Sequence, residues 1–192
     1  MNDQEARQAQ LEEHFQKILE IISPESGMGI GETPGRAARM WLEELTSGYA
    51  VNIEDLFRLF DPEDYDGMVI VRDIPVKSTC IHHLVPFVGY AHIGYIPGDK
   101  ILGLSKLARL VDAFGRRLQI QENVTKQVIA ALTEHLAPKG AIVVLESEHM
   151  CMTIRGVQAP GTKTITSDVS GCFKSDASYK DEFFTLLRNG SR

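Results

Sequence analysis

The chain has 192 residues, 43% of them apolar, enough for one sizeable core with an appended segment, and its net charge of −6 argues against a nonspecific nucleic-acid binder, which needs a broad basic face. No apolar run reaches the roughly 20 residues of a membrane span, and the start MNDQEARQAQ lacks the basic-then-apolar order of a signal peptide. A cytoplasmic protein without membrane partners is therefore expected, in a reducing compartment where three cysteines serve as thiols and not as a disulfide framework.

Glu5 to Ile22 sets Leu11, Phe15, Ile18 and Ile22 at helical spacing and predicts an amphipathic helix that stops at Ser23-Pro24. Gly27-Met28-Gly29-Ile30-Gly31 neither follows a strand nor carries a phosphate-loop Lys, and reads as a flexible connector. Thr33 as N-cap with Pro34 in the first turn opens a second helix through Ala37, Met40, Trp41 and Leu45 to near Gly48, with Arg36 and Arg39 on one face. A short helix over Ile53 to Phe60 and the acidic turn Asp61-Pro62-Glu63-Asp64 close an N-terminal helical extension, residues 1–64. The compact domain is expected over residues 65–192.

From Met68 the apolar period becomes strand-like. Met68 to Lys77 and Phe87 to Ile96 predict an antiparallel ribbon joined through Ser78 to Pro86. Leu104, Leu107, Val111, Phe114 and Leu118 mark one long helix; Val124, Val128, Leu132 and Leu136 mark another, ended by Pro138 and Gly140. Ala141 to Leu145, His149 to Val157 and Thr162 to Val169 return to strand composition, and Lys180 to Arg188 reads as a terminal helix. The order ββααββ predicts an α+β domain with two long helices on one face of an antiparallel sheet.

The chemistry concentrates at Cys80-Ile81-His82-His83 and His149-Met150-Cys151, which gather two of three cysteines and three of six histidines. Zinc binds thiolate and imidazole, and a hydrolytic zinc keeps three protein ligands with a fourth position open. Cys80, one of His82 and His83, and Cys151 supply such a set. The halves lie about seventy residues apart, so the fold and not a finger-type loop must join them. On a strand over His149 to Val157, His149, Cys151, Thr153 and Arg155 would share one face. Cys172 is then a spare thiol, and His14, His92 and His135 read as structural or surface residues. Lys106, Arg109, Arg116 and Arg117 against Asp112 alone, with Arg36 and Arg39, form local basic patches; each charge taken singly reads as a solvated helix face, and an anionic small molecule stays open as a ligand.

Ser78-Thr79-Cys80, His82 to Phe87, Gly103-Leu104-Ser105-Lys106, Gln119 to Glu122, His149-Met150-Cys151 and Arg155-Gly156-Val157 occur in the order found in the GTP cyclohydrolase I family, which the chain resembles from about Thr33 to Arg188. The resemblance implies a T-fold assembled as a toroidal homodecamer of two pentamers, with active sites at subunit interfaces. It implies conversion of GTP and water to 7,8-dihydroneopterin triphosphate and formate, the entry step of folate and pterin synthesis. By the same resemblance Cys80, His83 and Cys151 hold zinc, His82 and His149 transfer protons, and Ser105 lies near the sugar. Glu122, with Gln121 alongside, takes the guanine, for which a carboxylate offers two oxygens to the N1–H and 2-amino donors. Lys106, Arg109, Arg155, Arg36 and Arg39 take the triphosphate, Arg39 in place of a family Lys. The chain departs from the pattern at Ile81, where the family carries a Glu able to orient an imidazole. Three other classes share parts of the pattern: a zinc-stabilised binding protein, a T-fold nitrile reductase with a nucleophilic Cys and a nicotinamide cofactor, and a GTP-binding regulator without turnover.

Overall fold

The computed structural model describes residues 3–23 and 30–189, in two compact units, Met1–Ser47 and Gly48–Arg192. The glycine-rich connector lies, up to residue 29, outside the described residues. In the first unit α1 (Asp3–Ile22) packs beside α2 (Thr33–Arg39). Pro34 sits in the first turn of α2, where its missing N–H leaves no bond unmade, although Glu32 and not Thr33 is the N-cap. The helix runs on from Met40 to Leu45 with π-type bonding. Arg36 and Arg39 are exposed, and Arg36 pairs with Glu32 one turn back.

The second unit begins before the sheet. A short 3₁₀ turn, Glu54–Leu56, stands where a helix over 53–60 was expected, followed by β1 (Leu59–Phe60). Ile53, Leu56 and Phe57 pack against the main core, so residues 48–64, grouped by sequence with the extension, fold with the sheet. Next come β2 (Val69–Cys80), β3 (Pro86–Ile96), β4 (Ile101–Leu102), which pairs with β1, α3 (Leu104–Gly115), β5 (Leu118–Gln119) and α4 (Gln121–Ala131). After a π-type extension from Leu132 to Leu136, β6 (Gly140–His149), α5 (Met150–Thr153), β7 (Lys163–Gly171), α6 (Cys172–Ser175) and α7 (Ala177–Asn189) complete the chain.

The main sheet has the order β5-β2-β3-β6-β7. It is antiparallel except at β5, which pairs parallel to β2 through Thr79↔Leu118 and Cys80↔Gln119, so the sheet is mixed and not the purely antiparallel one expected. The cause lies in α3: it stops at Gly115, three residues before Leu118, and the chain drops onto the end of β2. Gly115 allows that approach, because a Cβ there would stand 3.0 Å from the Lys77 carbonyl.

Alternation along the strands sorts two cores. Ile74, Val76, Ala91, Ile93, Val143 and Leu145 face α3 and α4, where Leu107, Leu110, Val111, Val124 and Val128 are fully buried. Each such side chain contributes about 1.5–3 kcal/mol. On the opposite face Ile142 and Val144 meet Phe173 and Phe183, so α7 covers part of the second side. Gly89, between Val76 and Ser147 in the register, has no room for a Cβ, which would overlap the Glu146 and Ser147 backbone. Among the described residues no helix is long and apolar enough to cross a membrane.

A bulge between Val71 and Ile74 puts Asp73 in the left-handed region (φ 56), and its N–H donates to His92 Nδ1 at 3.1 Å. That bond requires an unprotonated Nδ1, and burial pushes the His92 pKa below its ordinary 6.5 against the pull of Asp73 and Glu146. The folded value lies below the unfolded one, so this contribution to stability is present above pH 6.5 and lost as pH falls through the folded value. Urea midpoints measured between pH 5 and pH 7.5 should fall on acidification, and His92→Gln should flatten that slope.

Candidate metal centre and active site

β2 ends at Cys80 and β3 starts at Pro86, so the residues between them form a tight turn at one end of the sheet. The Cys80 N–H bonds Val85 O at 2.9 Å, the Leu84 N–H bonds Cys80 O at 2.8 Å with Leu84 left-handed (φ 56), and the Ile81 N–H reaches Gln119 O of β5 at 3.0 Å. The turn is thus tied at its base and along one side. It leaves Cys80 buried and exposes Ile81, His82 and His83.

The strand expected over His149 to Val157 is not formed. β6 ends at His149, and Met150 to Thr153 wind into a single helical turn. Local side-chain bonds accompany the turn: Thr153 Oγ1 lies 3.2 Å from His149 O and 3.1 Å from Glu148 Oε1, sharing its one hydrogen between them, and Glu148 Oε1 also takes the Gly161 N–H at 2.9 Å. Cys151 therefore reaches the site from a turn and not by alternation on a strand face.

Among the described residues, Cys80, His83 and Cys151 form the one group of three donors suited to a metal ion, all three donor atoms lying within 4.8 Å of one another. Zinc bonds of about 2.0–2.3 Å set tetrahedral donor separations of about 3.5 Å, so small side-chain movements close the group around an ion. The two-sulfur, one-nitrogen donor set suits zinc and leaves the fourth position open. His83, and not His82, belongs to the group; His82 Nδ1 stands 3.9 Å from Cys80 Sγ. Burial pushes the Cys151 thiol up, and the nearby Cys80 adds to the shift, an opposition to ionisation that a divalent cation would relieve. Arg155 Nη1 lies 3.0 Å from His83 Nε2 and, as a guanidinium, can only donate to it.

His149 stands beside this group. Its ring stacks on Phe87 at 4.7 Å with an interplanar angle of 13°, and burial holds its pKa below the ordinary value while Glu122 pulls the other way. Its Nε2 lies 2.8 Å from Gln121 Oε1. Gln121, expected next to Glu122 as a contact to the base, is 1% exposed, and its amide nitrogen is committed to Leu145 O, Thr164 O and Thr166 Oγ1. Its side chain is turned into the protein; Glu122, on the first turn of α4, stays exposed.

A cleft of about 240 Å³ opens on Cys80, His82, His83, Glu122, His149 and Cys151. That is below the roughly 300–1,000 Å³ of pockets that enclose a drug-sized ligand. A larger one, about 360 Å³ around Tyr90, Glu146 and Lys163, lies on the other sheet face and holds no thiol or imidazole. Ser105 and Lys106 are absent from the thiol–imidazole cleft. They follow Leu102, whose N–H donates to the Tyr95 hydroxyl at 3.2 Å, and Tyr95 pairs with Ala141 while Phe87 pairs with His149. The two pairs stand about 26 Å apart along β3. Within one chain Ser105 and Lys106 therefore sit toward the far end of the sheet, with Arg109 one turn further along α3.

The profile of the family described as GTP cyclohydrolase I matches residues 11–188 of the 192. The chain belongs to the GTP cyclohydrolase I family. A protein called GTP cyclohydrolase 1 from Rattus norvegicus is 47% identical over 190 residues, covering 97% of this chain and 78% of that one. Its namesake from Homo sapiens is 52% identical over 163 residues (84% and 64%), and that from Halalkalibacterium halodurans 49% over 173 (89% and 92%). A solved structure of the archaeosine synthase QueF-Like in the apo form overlaps at a TM-score of 0.48 with 16% identity and 56% of this chain covered, too slight a likeness to bear on function. What sequence reasoning on this GTP cyclohydrolase I family member missed is the support of the site: the Phe87 stack, the Gln121 amide and the Glu148 brace. The signals available were Gln121, which the resemblance placed at the base, and Glu148, next to His149.

Proposed function

We propose that the protein is a zinc-dependent cytoplasmic GTP cyclohydrolase I that converts GTP and water to 7,8-dihydroneopterin triphosphate and formate, on a T-fold assembled as a toroidal homodecamer of two pentamers. In this reading it performs the first step of folate and pterin synthesis. The observation that carries it is the Cys80–His83–Cys151 group beside His149. Zinc held there supplies Lewis acidity and makes water a nucleophile near neutral pH. His149 passes a proton to the imidazole nitrogen next to guanine C8, and the exposed His82 serves as a second proton carrier. Glu122 accepts the N1–H and 2-amino hydrogens of the base. Ser105 meets the ribose, and Lys106, Arg109, Arg155, Arg36 and Arg39 hold the triphosphate. The position of Ser105 and Lys106 toward the far end of the sheet from the thiols of their own chain supports a complete site shared between copies.

Zinc-loaded protein should release formate from GTP over many turnovers, with the oxidised pterin followed by fluorescence; no product with zinc present overturns the reading. Cys151→Ser and Lys106→Ala, each inactive alone, should recover about a quarter of full activity when co-assembled from equal amounts, as random combination of two site halves gives. Absence of recovery overturns the shared site.

A second reading, a GTP binder without turnover, draws on Ile81, an aliphatic chain 50% exposed beside the two imidazoles. It offers them no acceptor. Ile81→Glu is expected to raise kcat by roughly 10-fold with zinc content unchanged, as for other partners outside the ligand set; zinc gained only in the Glu variant would contradict this. A nitrile reductase needs an activated thiol, whereas burial pushes both Cys151 and Cys172 up.

A further inference from the structure

Gln121 has its only full set of partners if its amide faces one way. Its Nε2 lies 3.0 Å from Leu145 O, 3.0 Å from Thr164 O and 3.1 Å from Thr166 Oγ1. Carbonyl oxygens only accept, so the amide nitrogen must face them and Oε1 must face His149 Nε2. The hydroxyls agree with this orientation. Thr166 Oγ1 accepts from Gln121 and donates to Thr125 Oγ1 at 2.6 Å, and Thr125 Oγ1 donates to Gln121 O at 3.2 Å, a closed circuit with Gln121 and Thr125 at 1% and 2% exposure. Since Gln121 Oε1 can only accept, His149 Nε2 must carry a hydrogen whether the ring is neutral or charged. The Phe87 stack blocks rotation out of this plane.

We infer that Gln121 is a positioning residue that keeps Nε2 of His149 permanently hydrogen-bearing, so that every proton His149 exchanges with substrate passes through Nδ1. The inference rests on the proton-transfer role proposed for His149, but the arrangement itself can be read without turnover. A flipped imidazole would set a C–H against a buried amide oxygen whose other neighbours are fixed, which the network cannot re-pair. This gives Gln121 a task at the site other than touching the base.

The test is magic-angle-spinning NMR of sedimented, zinc-loaded, full-length protein carrying 15N-histidine, with the His149 signals identified by their loss in His149→Gln. The neutral His149 ring should show a protonated Nε2 and a lone-pair Nδ1; a protonated Nδ1 with a bare Nε2 overturns the inference, whether or not the protein turns over GTP. Gln121→Met keeps the shape and removes the acceptor. It should mix the two tautomers and lower kcat roughly 10- to 100-fold, the range for partners that orient catalytic imidazoles from outside, with KM for GTP within about threefold. A Met variant with unchanged tautomer and kcat, or one that raises KM alone, overturns the inference. If that variant fails to fold, the wild-type spectrum still decides.

Discussion

Cys151→Ser is expected to leave the protein without stoichiometric zinc and without measurable formate release, a loss beyond the roughly 10- to 100-fold cost of disturbing residues outside a ligand set. Three donors are gathered by Cys80, His83 and Cys151, so removal of one thiolate leaves two, too few for a site that must also keep a position open. The fold should survive, because Cys151 is half-buried on a one-turn helix braced by Thr153 and Glu148. Cys172→Ser is the matched control: that thiol lies against Gly140 at the other end of β6 and should change neither metal content nor turnover. Elemental analysis of the purified variants, read beside formate release with zinc added back, checks both. A Cys151→Ser protein that retains one zinc per chain would remove Cys151 from the ligand set.

The long elements were legible because their periods are long enough to read. α1, α3, α4 and the β2–β3 ribbon each repeat an apolar spacing over ten or more residues, and the structure forms all of them. β5 was not legible, since two residues carry no period and Leu118 fits the apolar face of the preceding helix equally well. α5 reads as strand for another reason: Met150, Met152, Ile154 and Val157 have strand composition, and nothing in that composition signals the turn that Thr153 and Glu148 brace through their local side-chain bonds. At the site, the donor types were legible from the concentration of thiols and imidazoles in two short runs. Which imidazole joins them could not be read from spacing, and only the family resemblance named His83. His82 and His83 are neighbours in a turn, and only the path of that turn, pinned by Cys80, Val85 and Gln119, brings His83 to the thiols. The hold on His149 was hidden further still, because Phe87 reaches it across the β3–β6 register and Gln121 from the start of α4.

His149→Gln is expected to lower kcat by about 10²- to 10⁴-fold, the range for losing a positioned proton-transfer group, while zinc content and the KM for GTP stay close to those of the wild type. The prediction separates two groups that sequence places two residues apart. In the proposed reading Cys151 acts through the ion, so its loss should remove metal and turnover together; His149 is tied to Gln121 and Phe87 and is absent from the donor group, so its loss should spare the metal. Burial keeps its ring toward the neutral form, able to take a proton and return it, whereas a carboxamide in its place can hydrogen-bond but cannot carry one. Rapid-quench measurement of a single turnover, alongside zinc analysis, distinguishes the cases. A variant that binds zinc and GTP but stalls before formate release assigns the proton step to His149. One that loses zinc would instead make His149 part of the metal's own support, and the separation between the two roles would fall.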